Sequence, residues 1–161
     1  NIDLLSTNVD LSLDLRKKFP FLDSSCQEIY SEHFLEHLEY PTEVNFFLRE
    51  AKRVLIPNGK ITIIVPDTVW PMQSYFEGYN SVYFKICKEK KWHPIDCRAR
   101  MEHINFHFRQ NGEHLYAYDE ELLKMVLKDA GFRQISSRAY DPRIDSAMHD
   151  FGNLCLVARN K

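Results

Sequence analysis

Hydrophobic residues alternate with polar ones early in the chain and then fall into helical spacing. In residues 8–13, NVDLSL, Val9, Leu11 and Leu13 alternate with polar neighbours. That is the period of a half-buried strand, here ending at Asp14. Ile2 and Asp3 read like the last residues of an earlier strand, and Glu28 to Ser31 form another short strand candidate. Between Pro41 and Leu55, Val44, Phe47, Leu48, Ala51, Val54 and Leu55 share one helical face, and Pro41 suits a first turn. Pro57-Asn58-Gly59 should stop this helix and turn the chain into Lys60 to Val65, a β-branched run too apolar for an exposed edge. Strand, crossover helix and strand in that order imply parallel pairing with a right-handed connection.

From Asp67 to Tyr118 the period weakens and aromatics and histidines accumulate. Ser74 to Lys90 could hold a helix with Tyr75, Tyr79, Val82, Tyr83 and Ile86 on one face. The segment reads as a lid or insertion, residues 67–118, over the sheet edge of a single domain, residues 1–161. Regularity returns at Asp119, an N-cap candidate, followed by the stripe Leu122, Leu123, Val126, Leu127, Ala130 and by Gly131 at the position that ends a helix. Phe132 to Arg138 and Asn153 to Arg159 read as closing strands.

A length of 161 residues suits one domain that buries roughly 70% of its unfolded surface. The net charge of -2 gives no broad footprint for nucleic acid or an anionic membrane, and Lys88, Lys90 and Lys91 read as a solvated helix end. No apolar run approaches the roughly 20 residues of a membrane span, and the polar start does not read as a signal peptide, so the expectation is a cytoplasmic protein. Cys26, Cys87, Cys97 and Cys155 form no CxxC pair and suggest neither a zinc site nor a disulfide framework, with Cys155 expected in the core.

His33-Phe34-Leu35-Glu36-His37 fits H-x-x-E-H, the inverted zinc-protease pattern. On a helix the two histidines would share a metal and Glu36 would serve as general base. The context, a strand end before a sheet-covering helix with no obvious distant carboxylate ligand, argues against it, and no metal ligand is assigned. His103 and His107 share the same spacing with His114 nearby. Three histidines so close could be metal ligands or proton carriers, but they read rather as fillers of an aromatic lid, with a substrate-facing role for one of them as the main competing reading. Asp3 and Asp14 follow predicted strands, where a carboxylate meets ligand donors or caps a turn.

Asp14-Leu15, Pro20-Phe21, Glu36-His37-Leu38 and Arg53-Val54-Leu55-Ile56-Pro57-Asn58-Gly59 appear in an order that resembles the class I S-adenosylmethionine-dependent methyltransferases, in particular small type 11-like members. The strand Ile61 to Val65 with Pro66-Asp67, and Tyr118-Asp119 through Ala130-Gly131-Phe132, extend the likeness; residues 67–118 match least. The resemblance implies a Rossmann-like α/β sheet with helices on both faces, and S-adenosylmethionine as cofactor. It implies that Asp3 binds the ribose hydroxyls and that Asp14, with the Leu15 amide, holds the adenine. Ser31, Glu32 and His33 would line the methyl-donor pocket, with His33 or Glu32 as base where the acceptor must lose a proton. Arg53 and Gly59 would be structural.

The family's first strand and its glycine-rich loop have no counterpart before Asp3. The five glycines, at 59, 78, 112, 131 and 152, all come later. That strand normally sits between the second and fourth, so its absence would leave backbone groups unpaired in mid-sheet. Three expectations follow: a truncated piece of a longer protein, which the initial Asn in place of Met favours; a rearranged sheet; or a homodimer that covers the gap. The function expected is methyl transfer to an unidentified acceptor. The alternatives are a non-catalytic interaction domain of the same fold and, further off, a zinc hydrolase.

Overall fold

The computed structural model describes residues 2–3, 9–93 and 97–161. Its elements are β1 (Ile2–Asp3), β2 (Leu11–Ser12), β3 (Cys26–Glu32), α1 (Thr42–Val54), β4 (Leu55–Pro66), α2 (Val69–Glu77), α3 (Val82–Lys90), α4 (Arg100–Arg109), α5 (Glu120–Asp129), β5 (Phe132–Ser137) and β6 (Asn153–Asn160). One sheet has the order β3-β4-β6-β5, and β1 and β2 form a separate parallel pair. The pairing of β3 with β4 is parallel, as the crossover predicts, while β6 runs antiparallel to both β4 and β5. Among the described residues, β3 has no strand partner on its outer side. The sheet is thus open where the family's first strand would lie.

Five consecutive residues of β4, Ile61 to Val65, are buried because the strand is paired on both sides. The apolar face of α1 supplies Val44, Phe47, Leu48, Ala51 and Val54 to the same core, with Leu123, Val126 and Leu127 of α5. Truncating a fully buried leucine such as Leu48 would cost about 2–5 kcal/mol. Glu50, on the buried side of α1, is held by Arg53 at 2.7 Å and by the Phe19 amide at 2.9 Å, and Arg53 also donates to the Phe19 and Phe21 carbonyls. That network ties the loop after β2 to α1, in line with a structural Arg53.

Two local expectations are corrected. Pro57-Asn58-Gly59 does not turn the chain; it bulges within β4. Cys26 pairs with Leu55 and Glu28 with Lys60, so β4 takes five steps where β3 takes two, and Asn58 adopts φ 62° to accommodate the excess. A Cβ on Gly59 would lie 2.8 Å from the Ile56 carbonyl oxygen, which accounts for glycine there. Ser74 to Lys90 is not one helix either. Gly78, at φ 88°, separates α2 from α3, and Tyr83, Phe84 and Cys87 of α3 make a second small core with Trp70, Trp92 and Ile104.

Residues 67 and 118, the expected ends of the insertion, meet in an isolated parallel bridge. The helices between them leave and return at one point beside the end of β4. Among the described residues no helix is long and apolar enough to cross a membrane.

Candidate functional site

The carboxyl end of β3 is followed by a sharp change of backbone direction. Ser31 is buried and Glu32 half-buried; His33 then takes a left-handed conformation at φ 49° while its amide still donates to Ile64 O at 2.9 Å. His33 is therefore held to the sheet while its ring turns off the strand. A short 3-10 turn, Leu35–His37, comes next. The HxxEH run is not an α-helix here, so its two histidines do not stack one turn apart; instead they flank Glu36.

The His33 ring is fixed on three sides. Its Nε2 lies 2.8 Å from Asn153 Oδ1, and it stacks on His149 with centroids 3.6 Å apart at 13°. The Asn153 amide nitrogen donates to the His149 and Phe151 carbonyls, which leaves Oδ1 facing His33 and so places a proton on His33 Nε2. The other nitrogen, Nδ1, is 3.3 Å from Glu36 Oε1. Glu32 is engaged differently: it accepts from His149 Nδ1 at 2.9 Å and from the Ser146 amide at 3.2 Å, with the Tyr30 oxygen 3.1 Å away. Glu32 thus anchors the segment that carries His149.

Glu36 is 2% exposed, and neither carboxylate oxygen has a hydrogen-bond partner. Its backbone carbonyl accepts from the Leu115 and Tyr116 amides, at 2.8 and 3.2 Å, which brings residues 113–118 against the turn. His114 thereby meets His37 edge to face at 5.0 Å. Glu36, His107, His114, Tyr116 and Tyr118 help line a small cleft, about 10 Å³. His107 Nε2 and Tyr118 Oη are also buried without partners. Burial lowers the pKa of His114 and brings that of His107 down to about 4, and it raises that of the Tyr118 phenol.

The other predicted residues lie at the second sheet. Asp14 follows β2, and its carboxylate is taken by Arg16, 2.8 Å from Nε and 3.1 Å from Nη2, which brings its pKa down to about 2. Leu15 is partly buried against the main core. Asp3 ends β1, and its side chain lies outside the described residues. Ser31, Glu32 and His33 come together because they are consecutive. Asn153 and Tyr30 reach this place through the pairing of β3, β4 and β6, and His149 from the short turn Ala147–His149 that precedes β6, convergences with no local pattern in the sequence.

Residues 6–63 match the family model of a methyltransferase domain. Many solved structures are similar, three of them as follows. One is a SAM-dependent methyltransferase from Thermotoga maritima, at 12% identity and TM-score 0.53, covering 95% of this chain and 65% of that one. The second, a SAM-dependent methyltransferase from Archaeoglobus fulgidus, has 16% identity and TM-score 0.56, covering 98% and 74%. The third, from Aquifex aeolicus, is also a SAM-dependent methyltransferase and has 16% identity and TM-score 0.50, covering 94% and 54%. The chain has the fold of the SAM-dependent methyltransferases. This methyltransferase-fold chain spans 65% and 54% of the Thermotoga and Aquifex proteins. Comparison with curated protein sequences finds no significant match.

Proposed function

We propose that the chain contributes to S-adenosylmethionine-dependent methyl transfer, with the carboxyl end of β3 as its acceptor side. The observation that carries this reading is the position of Ser31, Glu32 and His33 at a strand end of a methyltransferase fold, with His33 fixed by Asn153 and His149. Strand ends of open α/β sheets are where such folds bind ligands.

The cofactor fits this chain in part. Asp14 and the buried Ser31 suit the nucleoside edge and the donor pocket, and Asp3 would take the ribose. This sequence has no glycine before β3 to let backbone approach the methionine portion. When bound, S-adenosylmethionine supplies an electrophilic methyl group on a sulfonium sulfur. The chain's own residues would orient the acceptor, exclude water and, for an acceptor that loses a proton, hold that proton. His33 suits this role at Nδ1, because Glu36 Oε1 at 3.3 Å would stabilise the charged ring. Glu32 holds His149 under the His33 ring, which makes it a positioning residue. Residues 67–118 act as the lid that shapes acceptor choice.

Calorimetric titration of S-adenosylmethionine into the chain tests the reading. Saturable binding that weakens in Asp14→Ala supports it. No detectable heat at millimolar ligand overturns it for this chain and favours the non-catalytic interaction domain.

A further inference from the structure

Glu36 poses an unsolved electrostatic problem. A buried carboxylate with no hydrogen bond costs several kcal/mol unless a cation compensates it. Among the described residues the groups within ion-pair distance are two imidazoles, His33 Nδ1 at 3.3 Å and His37 Nε2 at 3.9 Å. Glu36, His37 and His114 each offer one ligand atom, and these atoms lie within 4.8 Å of one another.

The tautomers of both histidines are set by what their other nitrogens touch. His37 Nδ1 is 3.0 Å from the Glu113 carbonyl oxygen, and His114 Nδ1 is 3.0 Å from the His107 carbonyl oxygen. A carbonyl can only accept, so each Nδ1 carries a proton and each Nε2 of the neutral ring presents a lone pair. This backbone-anchored arrangement is how metal-bound histidines are commonly oriented. We propose that Glu36, His37 and His114 form a site for a divalent transition metal of the zinc type. Two imidazoles and one carboxylate are a borderline donor set that suits zinc and leaves a fourth position open. Tetrahedral ligands at zinc distances lie about 3.3 Å apart, so small side-chain rotations close the site.

One occupant would also satisfy two further orphans. A metal-bound water or oxygen ligand in the cleft would meet His107 Nε2 and Tyr118 Oη, both buried without partners. On the methyl-transfer reading, on which only this last step rests, the open position would take a hydroxyl or carboxylate oxygen of the acceptor. In the sequence, H-x-x-E-H would have needed both histidines on one helix and a distant carboxylate. The structure supplies a central carboxylate and a distant histidine.

The test uses metal alone, so its failure is separate from failure of methyl transfer. The chain is stripped with a chelator and dialysed against Zn²⁺, with metal analysis; Co²⁺ is then substituted and its visible ligand-field spectrum recorded. The expected result is one ion per chain, a tetrahedral Co²⁺ spectrum and a higher unfolding midpoint with zinc. His37→Ala and His114→Ala should each weaken binding by about tenfold or more, while His103→Ala leaves it unchanged. Circular dichroism of the metal-free variants checks folding, and Glu36→Gln or His114→Gln replaces any variant that fails. No stoichiometric zinc in the parent chain, with water alone filling the cleft, overturns the proposal. So does binding that survives loss of both His37 and His114 or disappears in His103→Ala.

Discussion

The Thr68 hydroxyl donates to the Tyr118 carbonyl oxygen at 2.7 Å, and the Thr68 amide reaches the same oxygen at 3.2 Å. Fifty residues of chain are closed at this point by a buried side chain. Thr68→Val keeps the shape and the amide bond but removes the hydroxyl donor. The expected loss is about 1 kcal/mol in urea unfolding, with faster amide exchange concentrated in residues 67–118. A loss spread evenly over the sheet would show that Thr68 does not pin the insertion.

The insertion should also be the acid-sensitive part of the molecule. His93 is buried against Tyr83 and Cys87, and its Nδ1 is 2.8 Å from His103 Nδ1, with one proton shared between them. Burial, with the neighbouring His103 and His107 adding to it, brings its pKa down to about 3; burial brings that of His107 down to about 4. Unfolded, both rings protonate below about pH 6.5. Their depressed folded values mean that the unfolded state binds more protons, so stability is complete above about pH 6.5 and falls as pH drops toward 4. About 2 kcal/mol or more should be lost between pH 6.5 and 5. Urea titrations at the two pH values measure it, and His93→Phe should reduce the difference; equal stability at both would refute the assignment.

The features legible in the sequence are those encoded by near neighbours. Asp119 was readable as an N-cap because it acts on a residue three positions on, accepting from the Leu122 amide at 2.8 Å. The stripe of α1 and the apolar run of β4 were readable because periodicity reports burial directly. Pro57-Asn58-Gly59 misled because the same dihedral freedom that makes a turn also makes a bulge, and only the partner strand decides between them. His114 was visible as a histidine but not as a neighbour of His37, since a pair of backbone hydrogen bonds to Glu36 brings it there. Long-range side-chain convergence of this kind has no period.

Asp145 should govern stability at lower pH. It is buried, paired with Arg138 at 2.5 and 2.6 Å, and receives the Tyr30 hydroxyl at 2.8 Å. The Arg138 hydrogen bonds hold its carboxyl well below the usual range. A depressed folded value contributes stability above the unfolded pKa of about 3.9, lost as pH falls below it. Asp145→Asn should destabilise by about 3 kcal/mol at pH 7, because Arg138 is left unpaired, and the difference from the parent should shrink in acid. A difference independent of pH would point to packing instead.

Asp14 offers the sharpest test of the cofactor edge, because Arg16 already occupies both its oxygens. A carboxylate has further lone pairs, so it can accept from a ligand amine without releasing the guanidinium, although the Arg16 side chain crowds the approach. If Asp14 holds the adenine, Asp14→Ala should weaken S-adenosylmethionine binding by about tenfold, the effect of losing one charged hydrogen bond. Arg16→Ala should leave affinity unchanged or raise it, since it frees the acceptor without removing it. Calorimetry on both variants separates the outcomes. Equal weakening would mean that the ion pair matters only for the loop's shape, and no change in Asp14→Ala would remove Asp14 from the binding surface.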